Sequence, residues 1–173
     1  ARIPKERREE FWQRVADLAM PTRVKANANY NNSRMASLQA RHDGYGAALM
    51  MNQKGHVSEG PGMCFFMVRD GVPVTPSITS NILESITRDT VIQILRDELG
   101  LETVERDVDR SELYACEEAF YCGTAWEISP ITSIDGIPVD TGKIGPLAGQ
   151  LMEIYFDIAT GAAEDTRGWL TAV

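Results

Sequence analysis

Residues 23 to 30 read Arg-Val-Lys-Ala-Asn-Ala-Asn-Tyr and place Lys25 among small and apolar neighbours. The chain contains four lysines, and the other three lie in charged or turn-like surroundings. The neighbours of Lys25 predict a partly buried position, where an ammonium group is costly unless it is paired, neutral or covalently used. By composition alone, the simpler interpretation is a lysine whose stem packs while its head reaches solvent.

The hydrophobic pattern on both sides of this stretch predicts a mixed α and β domain without internal repeats. Helices are predicted over residues 4–20, 31–41 and 87–99, and from Pro146 onward, because apolar residues recur there at helical spacing. Thr87 is predicted to cap the third helix, and Gly100 to end it. Strands are predicted over residues 44–51, 63–69, 72–75, 102–107, 118–122 and 127–134, the first three as antiparallel hairpins.

Length and charge limit the classes of function. The chain has 173 residues, 43% of them apolar, which is enough for one core. Its formal net charge of −8 disfavours nucleic acid or an anionic membrane surface as the main partner. The longest apolar runs, such as residues 63–68, are far shorter than the roughly 18 residues of a membrane span. We therefore expect a cytoplasmic protein that acts on small molecules.

Cysteine and histidine usage argues against metal and hydrolase chemistry. The cysteines are odd in number and show no zinc-ligand spacing, which favours reduced, mostly buried thiols. The two histidines belong to no HExxH motif or nucleophile elbow. The glycine-rich stretches at residues 44–49 and 136–143 fit neither a dinucleotide-binding turn nor a P-loop. No metal is expected.

Four separated sequence blocks decide between the two interpretations of Lys25, a functional amine and a lysine whose head only reaches solvent. They read Val-Lys-Ala-Asn-Ala-Asn-Tyr-Asn-Asn-Ser at 24–33, Ser-Glu-Gly-Pro-Gly at 58–62, Ile-Thr-Arg-Asp at 86–89 and Gly-Thr-Ala-Trp-Glu-Ile-Ser-Pro at 123–130. In order and approximate spacing they resemble the branched-chain group of the class IV, or fold-type IV, aminotransferases. The resemblance implies an α+β fold, with a mixed, mainly antiparallel sheet or pseudo-barrel and flanking helices. Residues 1–20 would be a helical lead-in or interdomain segment, and residues 21–173 the C-terminal domain that binds pyridoxal 5'-phosphate.

The resemblance also assigns roles around the pyridoxal ring. Lys25 would be the Schiff-base lysine and then shuttle a proton between the substrate and the cofactor. Glu59 would pair with the pyridine nitrogen and keep it protonated, which makes the ring a better electron sink. Tyr30 would bond the ring hydroxyl, and Leu83 would pack near the ring. The simpler interpretations are an exposed turn acid at Glu59 and a half-buried core tyrosine at Tyr30.

The phosphate and the substrate carboxylate have predicted donors too. A helix that begins at Thr87 leaves free N–H groups and a positive dipole end at Ile86 to Arg88, with the Thr87 hydroxyl beside them, and together these favour an anion. By resemblance, Thr124 would be another phosphate donor, and the Thr124-Ala125 turn would bind the substrate carboxylate. Otherwise Thr87 is an ordinary cap and Thr124 an ordinary turn residue.

Three departures from the family pattern put the substrate class in doubt. The chain has Met63-Cys64 where Glu-Asn is typical, Glu84-Ser85 where Pro-Gly is common, and Trp126 in place of a small residue. Trp126 would either reshape the pocket or simply pack in the core.

The activity implied is amino-group transfer from an amino acid, most typically a branched-chain L-amino acid, to 2-oxoglutarate or another 2-oxo acid. The alternatives are D-amino-acid or (R)-amine transamination, aminodeoxychorismate lyase chemistry, and an incomplete module that binds pyridoxal phosphate without turnover. The family's N-terminal small domain is absent from this sequence, so we expect it as a missing or separate part. Homodimers are expected as well.

Overall fold

A computed structural model, which describes residues 12–171, places a five-stranded sheet at the centre of the chain. Its strands are β1 (Cys64–Arg69), β2 (Val72–Pro76), β3 (Val104–Arg106), β4 (Glu118–Gly123) and β5 (Glu127–Pro130), in the order β3-β2-β1-β4-β5. The pairs are antiparallel except for β2 with β3. A two-stranded ribbon of β6 (Ser133–Ile134) and β7 (Ile137–Pro138) follows. The predicted mixed, mainly antiparallel sheet is confirmed.

Three α-helices flank the sheet: α1 (Tyr30–His42), α2 (Ile86–Asp97) and α3 (Pro146–Thr160). Short 3₁₀ helices span Asn27–Asn29 and Arg110–Ala115. These α-helices agree with three of the four predicted ones. Within residues 12–171, no helix is long and apolar enough to cross a membrane.

Strands β1 and β4 are buried on both faces of the sheet, which explains their nearly continuous apolar sequences. Alternate side chains point to opposite faces and build two separate clusters. One face contributes Phe65, Met67 and Tyr121 to a cluster completed by loops. The other face packs Phe66 and Phe120 against α2 and α3, and the two rings stack at 5.2 Å.

A buried carboxylate fixes the start of α3 on this second face. Glu118, on β4, accepts the N–H groups of Leu147 at 3.0 Å and Ala148 at 2.8 Å. The fit is close, since a Cβ added to Gly145 would lie 2.1 Å from the Glu118 carboxyl carbon. A negative charge at a helix N-terminus is favourable, so Glu118 holds the first residue of β4 to the start of α3, while the other end of β4 leads to the site.

Two predicted elements are wrong, the helix over residues 12–20 and the strand over residues 44–51. Residues 12–20 form no helix: the Arg14 N–H donates to the Met51 carbonyl at 2.8 Å, and Leu18 is fully exposed. Residues 4–11 of the predicted helix lie outside the described part of the chain. Residues 44–51 form no regular strand, although Met50 exchanges backbone hydrogen bonds with Ser58 and Glu59.

The remaining differences concern element ends. The predicted strand at 102–107 shortens to β3, and the one at 127–134 divides into β5 and β6. The cap of α2 is Ser85 and not Thr87, because the Ser85 hydroxyl accepts the Arg88 N–H at 3.3 Å. Ser85 has extended backbone angles, whereas Thr87 already lies inside the helix.

We expect Ser85→Ala to lower the free energy of unfolding by about 1 kcal/mol, because the first turn of α2 loses its side-chain acceptor. Ser85→Asp keeps an acceptor and adds a favourable charge at the helix start, so it should remain close to the unsubstituted chain. Urea unfolding of the three proteins checks this. Equal stability of the alanine and aspartate variants would contradict the assignment of the cap.

Candidate active site

A cavity of about 210 Å³ opens beside the carboxyl end of β4 and the start of α2. Five segments line it: the stretch with Arg14, the loop with Lys25, Glu59 and the turn after it, residues before α2, and the end of β4 with the turn that follows. Six of the eight predicted site residues are among its lining residues: Lys25, Tyr30, Glu59, Leu83, Thr124 and Ala125. Residues far apart in the sequence therefore meet at one place.

Lys25 lies on the open side of this cavity, in the loop before the 3₁₀ helix Asn27–Asn29. The predicted partial burial is wrong within the described residues, since both Lys25 and its neighbour Val24 are exposed. The amine thus stands at the cavity mouth without being enclosed.

Asn29 holds the lysine loop in place, a role that the sequence analysis missed. Its side-chain amide donates to the carbonyls of Pro21 and Val24, both at 3.0 Å. The Asn29 Oδ1 atom is buried and has no partner in the described structure, although the residue lines the cavity. A buried acceptor of this kind calls for a donor, which a bound molecule or the Lys25 amine can provide.

Glu59 forms the floor of the site and is only 5% exposed, which excludes the alternative of an exposed turn acid. Its Oε1 atom lies 2.7 Å from the Arg14 Nε, and its Oε2 accepts the Leu83 N–H at 3.0 Å. Burial raises the pKa of Glu59 to about 7, while the Arg14 charge and the two hydrogen bonds oppose that rise. A carboxylate so placed can accept a proton near neutral pH.

Arg14 is a second residue that the sequence analysis missed. It is 6% exposed and also approaches the Asn81 carbonyl at 3.3 Å and the Ser33 hydroxyl at 3.5 Å. No local sequence pattern singles out Arg14, because the residue lies in a charged stretch that predicts a surface helix. What makes Arg14 important is its ion pair with Glu59, which is distant from it in the sequence.

Replacing Arg14 with glutamine should raise the pKa of Glu59 above its value of about 7, because the favourable positive charge is removed while burial remains. An NMR titration of the Glu59 carboxyl carbon in cofactor-free protein measures this directly. Arg23→Gln is the matched control, since Arg23 pairs with the exposed Glu84 and makes no contact with Glu59. A Glu59 pKa that stays unchanged or falls in the Arg14 variant would contradict this electrostatic account.

The start of α2 reaches the cavity through Ser85 and not through the side chains of Ile86 and Thr87. Ile86 is 88% exposed, and Thr87 is buried. The backbone N–H groups of Ile86 and Thr87 have no partner in residues 12–171 because they belong to the first helical turn. What the helix presents to an anion is therefore its backbone.

The turn after β4 forms the opposite wall. Thr124 and Ala125 are exposed there, and Gly123 passes close to the Gly62 carbonyl, where an added Cβ would lie at 3.3 Å. Trp126 does not line this cavity. It lines an adjoining cavity of about 260 Å³ that shares Tyr30, so its effect on the pocket would be exerted from the neighbouring space.

The donors and acceptors fit a phosphorylated pyridine aldehyde. An amine for the aldehyde and a buried carboxylate for a ring nitrogen line one cavity, and free helix N–H groups for a phosphate follow directly after Ser85, which lines it too. The unpaired Asn29 Oδ1 leaves an acceptor for one further donor. The fold and site thus define a domain of the kind that binds pyridoxal phosphate.

Comparison with known proteins identifies the family. The sequence profile of amino-transferase class IV matches residues 9–134, and the chain belongs to that family. It is 41% identical over 162 residues to the probable branched-chain-amino-acid aminotransferase of Aquifex aeolicus, covering 94% of this chain and 52% of the relative. The chain therefore spans about half the length of the curated relatives that it matches.

Solved structures of similar proteins support the same family assignment. The branched-chain amino acid aminotransferase of Thermobaculum terrenum in its PLP form is 51% identical, with a TM-score of 0.89, covering 92% of this chain and 52% of that one. The branched-chain aminotransferase of Thermoproteus uzoniensis with norvaline is 45% identical, with a TM-score of 0.87, covering 92% of this chain and 52% of that one. These matches confirm the fold-type IV assignment.

Proposed function

We propose that this chain is the pyridoxal-phosphate-binding part of an aminotransferase that transfers the amino group of a branched-chain L-amino acid to 2-oxoglutarate or another 2-oxo acid. The observation that supports it most is the single cavity shared by the Lys25 amine and the buried Glu59 carboxylate. The names of the relatives at 41% identity support the substrate class.

The bound cofactor would supply an aldehyde that reacts with amines and a ring that withdraws electrons from the substrate. The Lys25 Nζ would hold the aldehyde and, once released, move a proton at the substrate α-carbon. Its exposed position at the cavity mouth leaves it free to do both. Glu59 would hold the proton of the ring nitrogen, and Arg14 and Leu83 fix the direction of its carboxylate.

The remaining groups would orient the cofactor and the substrate. Tyr30, at the first turn of α1, would donate to the ring hydroxyl, and the Leu83 side chain would pack beside the ring. The N–H groups of Ile86 and Thr87 and the Thr124 hydroxyl would hold the phosphate. The substrate carboxylate would bind at the Thr124-Ala125 turn, which is exposed at the cavity edge.

We also propose that a further domain and a second subunit complete the site. Apolar side chains are exposed in the lysine loop and on α1, namely Val24 at 56%, Met35 at 51% and Leu38 at 48%. An uncovered apolar surface of this kind marks an interaction site. A small domain that covers the lysine would exclude water from the reaction, and a homodimer located in the cytoplasm would be the working form.

The test is a transamination assay with pyridoxal phosphate and 2-oxoglutarate, comparing L-leucine, D-alanine and an (R)-amine as donors. It is run on residues 1–173 alone and on the chain joined to the N-terminal half of a relative. We expect L-leucine to be preferred and the joined protein to be far more active. A preference for D-alanine or the (R)-amine would favour those transaminases instead, and bound cofactor without turnover would favour the binding module. Full activity of residues 1–173 as a monomer would contradict the need for a second domain.

A further inference from the structure

Two cysteines occupy directly opposite positions in the sheet at the inner wall of the cavity. Cys64 on β1 pairs with Cys122 on β4 in the antiparallel register, and both residues line the cavity. Their side chains project from the same face, into the cluster that α2 and α3 cover. Opposed residues of an antiparallel pair have Cα atoms about 4.5–5.5 Å apart, within the range that a disulfide spans.

The register places the two thiols side by side on one face of the sheet. The neighbouring Cys64 thiol and burial raise the pKa of the Cys122 thiol well above its usual value, and the Cys64 thiol donates to the Leu83 carbonyl at 3.7 Å. The Leu83 N–H in turn donates to the Glu59 carboxylate at 3.0 Å. The Leu83 backbone therefore contacts both Cys64 and the Glu59 carboxylate.

Both cysteines are buried, at 3% exposure for Cys64 and 0% for Cys122, so their route to solvent in this part of the chain leads through the cavity that they line. Cys116 is also buried but lies in the cluster on the other face of the sheet, where its thiol donates to the Leu113 carbonyl at 3.2 Å. Cys116 therefore serves as an internal control for the reactivity of Cys64 and Cys122.

We propose that Cys64 and Cys122 are an oxidisable dithiol, which a hydroperoxide or another two-electron oxidant converts to a disulfide inside the cavity. One thiol releases its proton, and the thiolate attacks an oxygen of hydrogen peroxide, which breaks the O–O bond and gives a sulfenic acid; the expelled hydroxide takes up the released proton and leaves as water. The other thiol then attacks that sulfur, forms the S–S bond and releases a second water. The sulfurs together lose two electrons and two protons, and the peroxide is reduced to water.

Oxidation has a structural consequence for the site. The disulfide contains no S–H group, so the Leu83 carbonyl loses the hydrogen bond from Cys64. The N–H group of the same residue donates to Glu59, so we expect a shift of Leu83 to reach the acid of the cavity. We expect the oxidised form to bind pyridoxal phosphate about threefold more weakly than the reduced form.

The test treats the reduced chain with hydrogen peroxide or diamide, alkylates the remaining thiols and maps the peptides without reduction. We expect a Cys64–Cys122 cross-link that dithiothreitol reverses, with Cys116 still alkylated. Cys116→Ser should keep the cross-link. Cys64→Ser and Cys122→Ser should abolish it, and Cys64→Ser retains a hydroxyl donor for Leu83. Alkylation of both Cys64 and Cys122 after oxidation, or a cross-link to Cys116, would overturn the proposal, and neither result depends on transaminase activity.

Cofactor binding gives the second measurement. Pyridoxal phosphate retention is compared by its visible absorbance in oxidised, reduced and re-reduced protein, with Cys64→Ser treated in parallel. We expect weaker retention only in the oxidised unsubstituted chain. Equal retention in oxidised and reduced protein would refute the coupling between the disulfide and the site.

Discussion

Replacement of Lys25 by alanine is expected to reduce the transamination rate by about 10³-fold or more, since one side chain holds the cofactor and moves the substrate proton. The loss should appear in the chemical step and in the visible absorbance of bound pyridoxal phosphate. Unfolding should change little, because Lys25 is exposed. Single-turnover kinetics with L-leucine measures the effect, in the chain joined to the N-terminal half of a relative.

Lys54→Ala is the matched control for this experiment. Lys54 is also exposed, but it lies in the turn shaped by the Asn52 side chain and is absent from the cavity lining. Its replacement should leave the rate within the error of the assay. A Lys25 variant with more than roughly a tenth of the original rate would mean that the lysine is not the reacting amine.

Glu59→Gln is expected to slow the chemical step by about 10²-fold, because a neutral amide no longer stabilises a proton on the ring nitrogen. Glutamine keeps an oxygen for the Leu83 N–H, so cofactor retention should fall much less than the rate. The substitution also leaves the buried Arg14 charge without its partner. Unfolding is therefore measured beside the kinetics.

Glu102→Gln is the control, because Glu102 is an exposed acid outside the cavity. It should alter neither the rate nor retention. If the two glutamine variants lost rate equally, or if the Glu59 variant lost cofactor and rate in proportion, the proposed role at the ring nitrogen would be wrong.

The sequence was sufficient for features that depend on local patterns. The apolar spacing in α2 and α3 and the buried apolar runs of β1 and β4 reflect short-range patterns, which need no knowledge of distant residues. The blocks around Lys25, Glu59 and Thr124 contain five of the six predicted site residues that line the cavity, and Leu83 is the sixth. Helix prediction failed over residues 12–20, because the Arg14 backbone pairs with Met51 and its side chain with Glu59.

Other parts of the site depend on partners that a linear pattern does not reveal. Asn29 matters because its amide closes the turn around Val24, and Cys64 and Cys122 matter because the sheet register opposes them. Ser85 takes the capping role predicted for Thr87, since the extended backbone ends at Ser85 and the helix begins at the next residue. Each depends on backbone geometry and not on residue type alone.

The most direct measurement of the central claim is borohydride reduction of the chain with bound pyridoxal phosphate, followed by peptide mapping. Reduction fixes the cofactor to the amine that holds it, so the labelled peptide identifies that amine. The assignment of Lys25 as the amine that holds the cofactor predicts a stable phosphopyridoxyl label on Lys25. The label should be abolished in Lys25→Ala and retained in Lys54→Ala. A label on Lys54 or Lys143, or none in protein that visibly retains the cofactor, would contradict it.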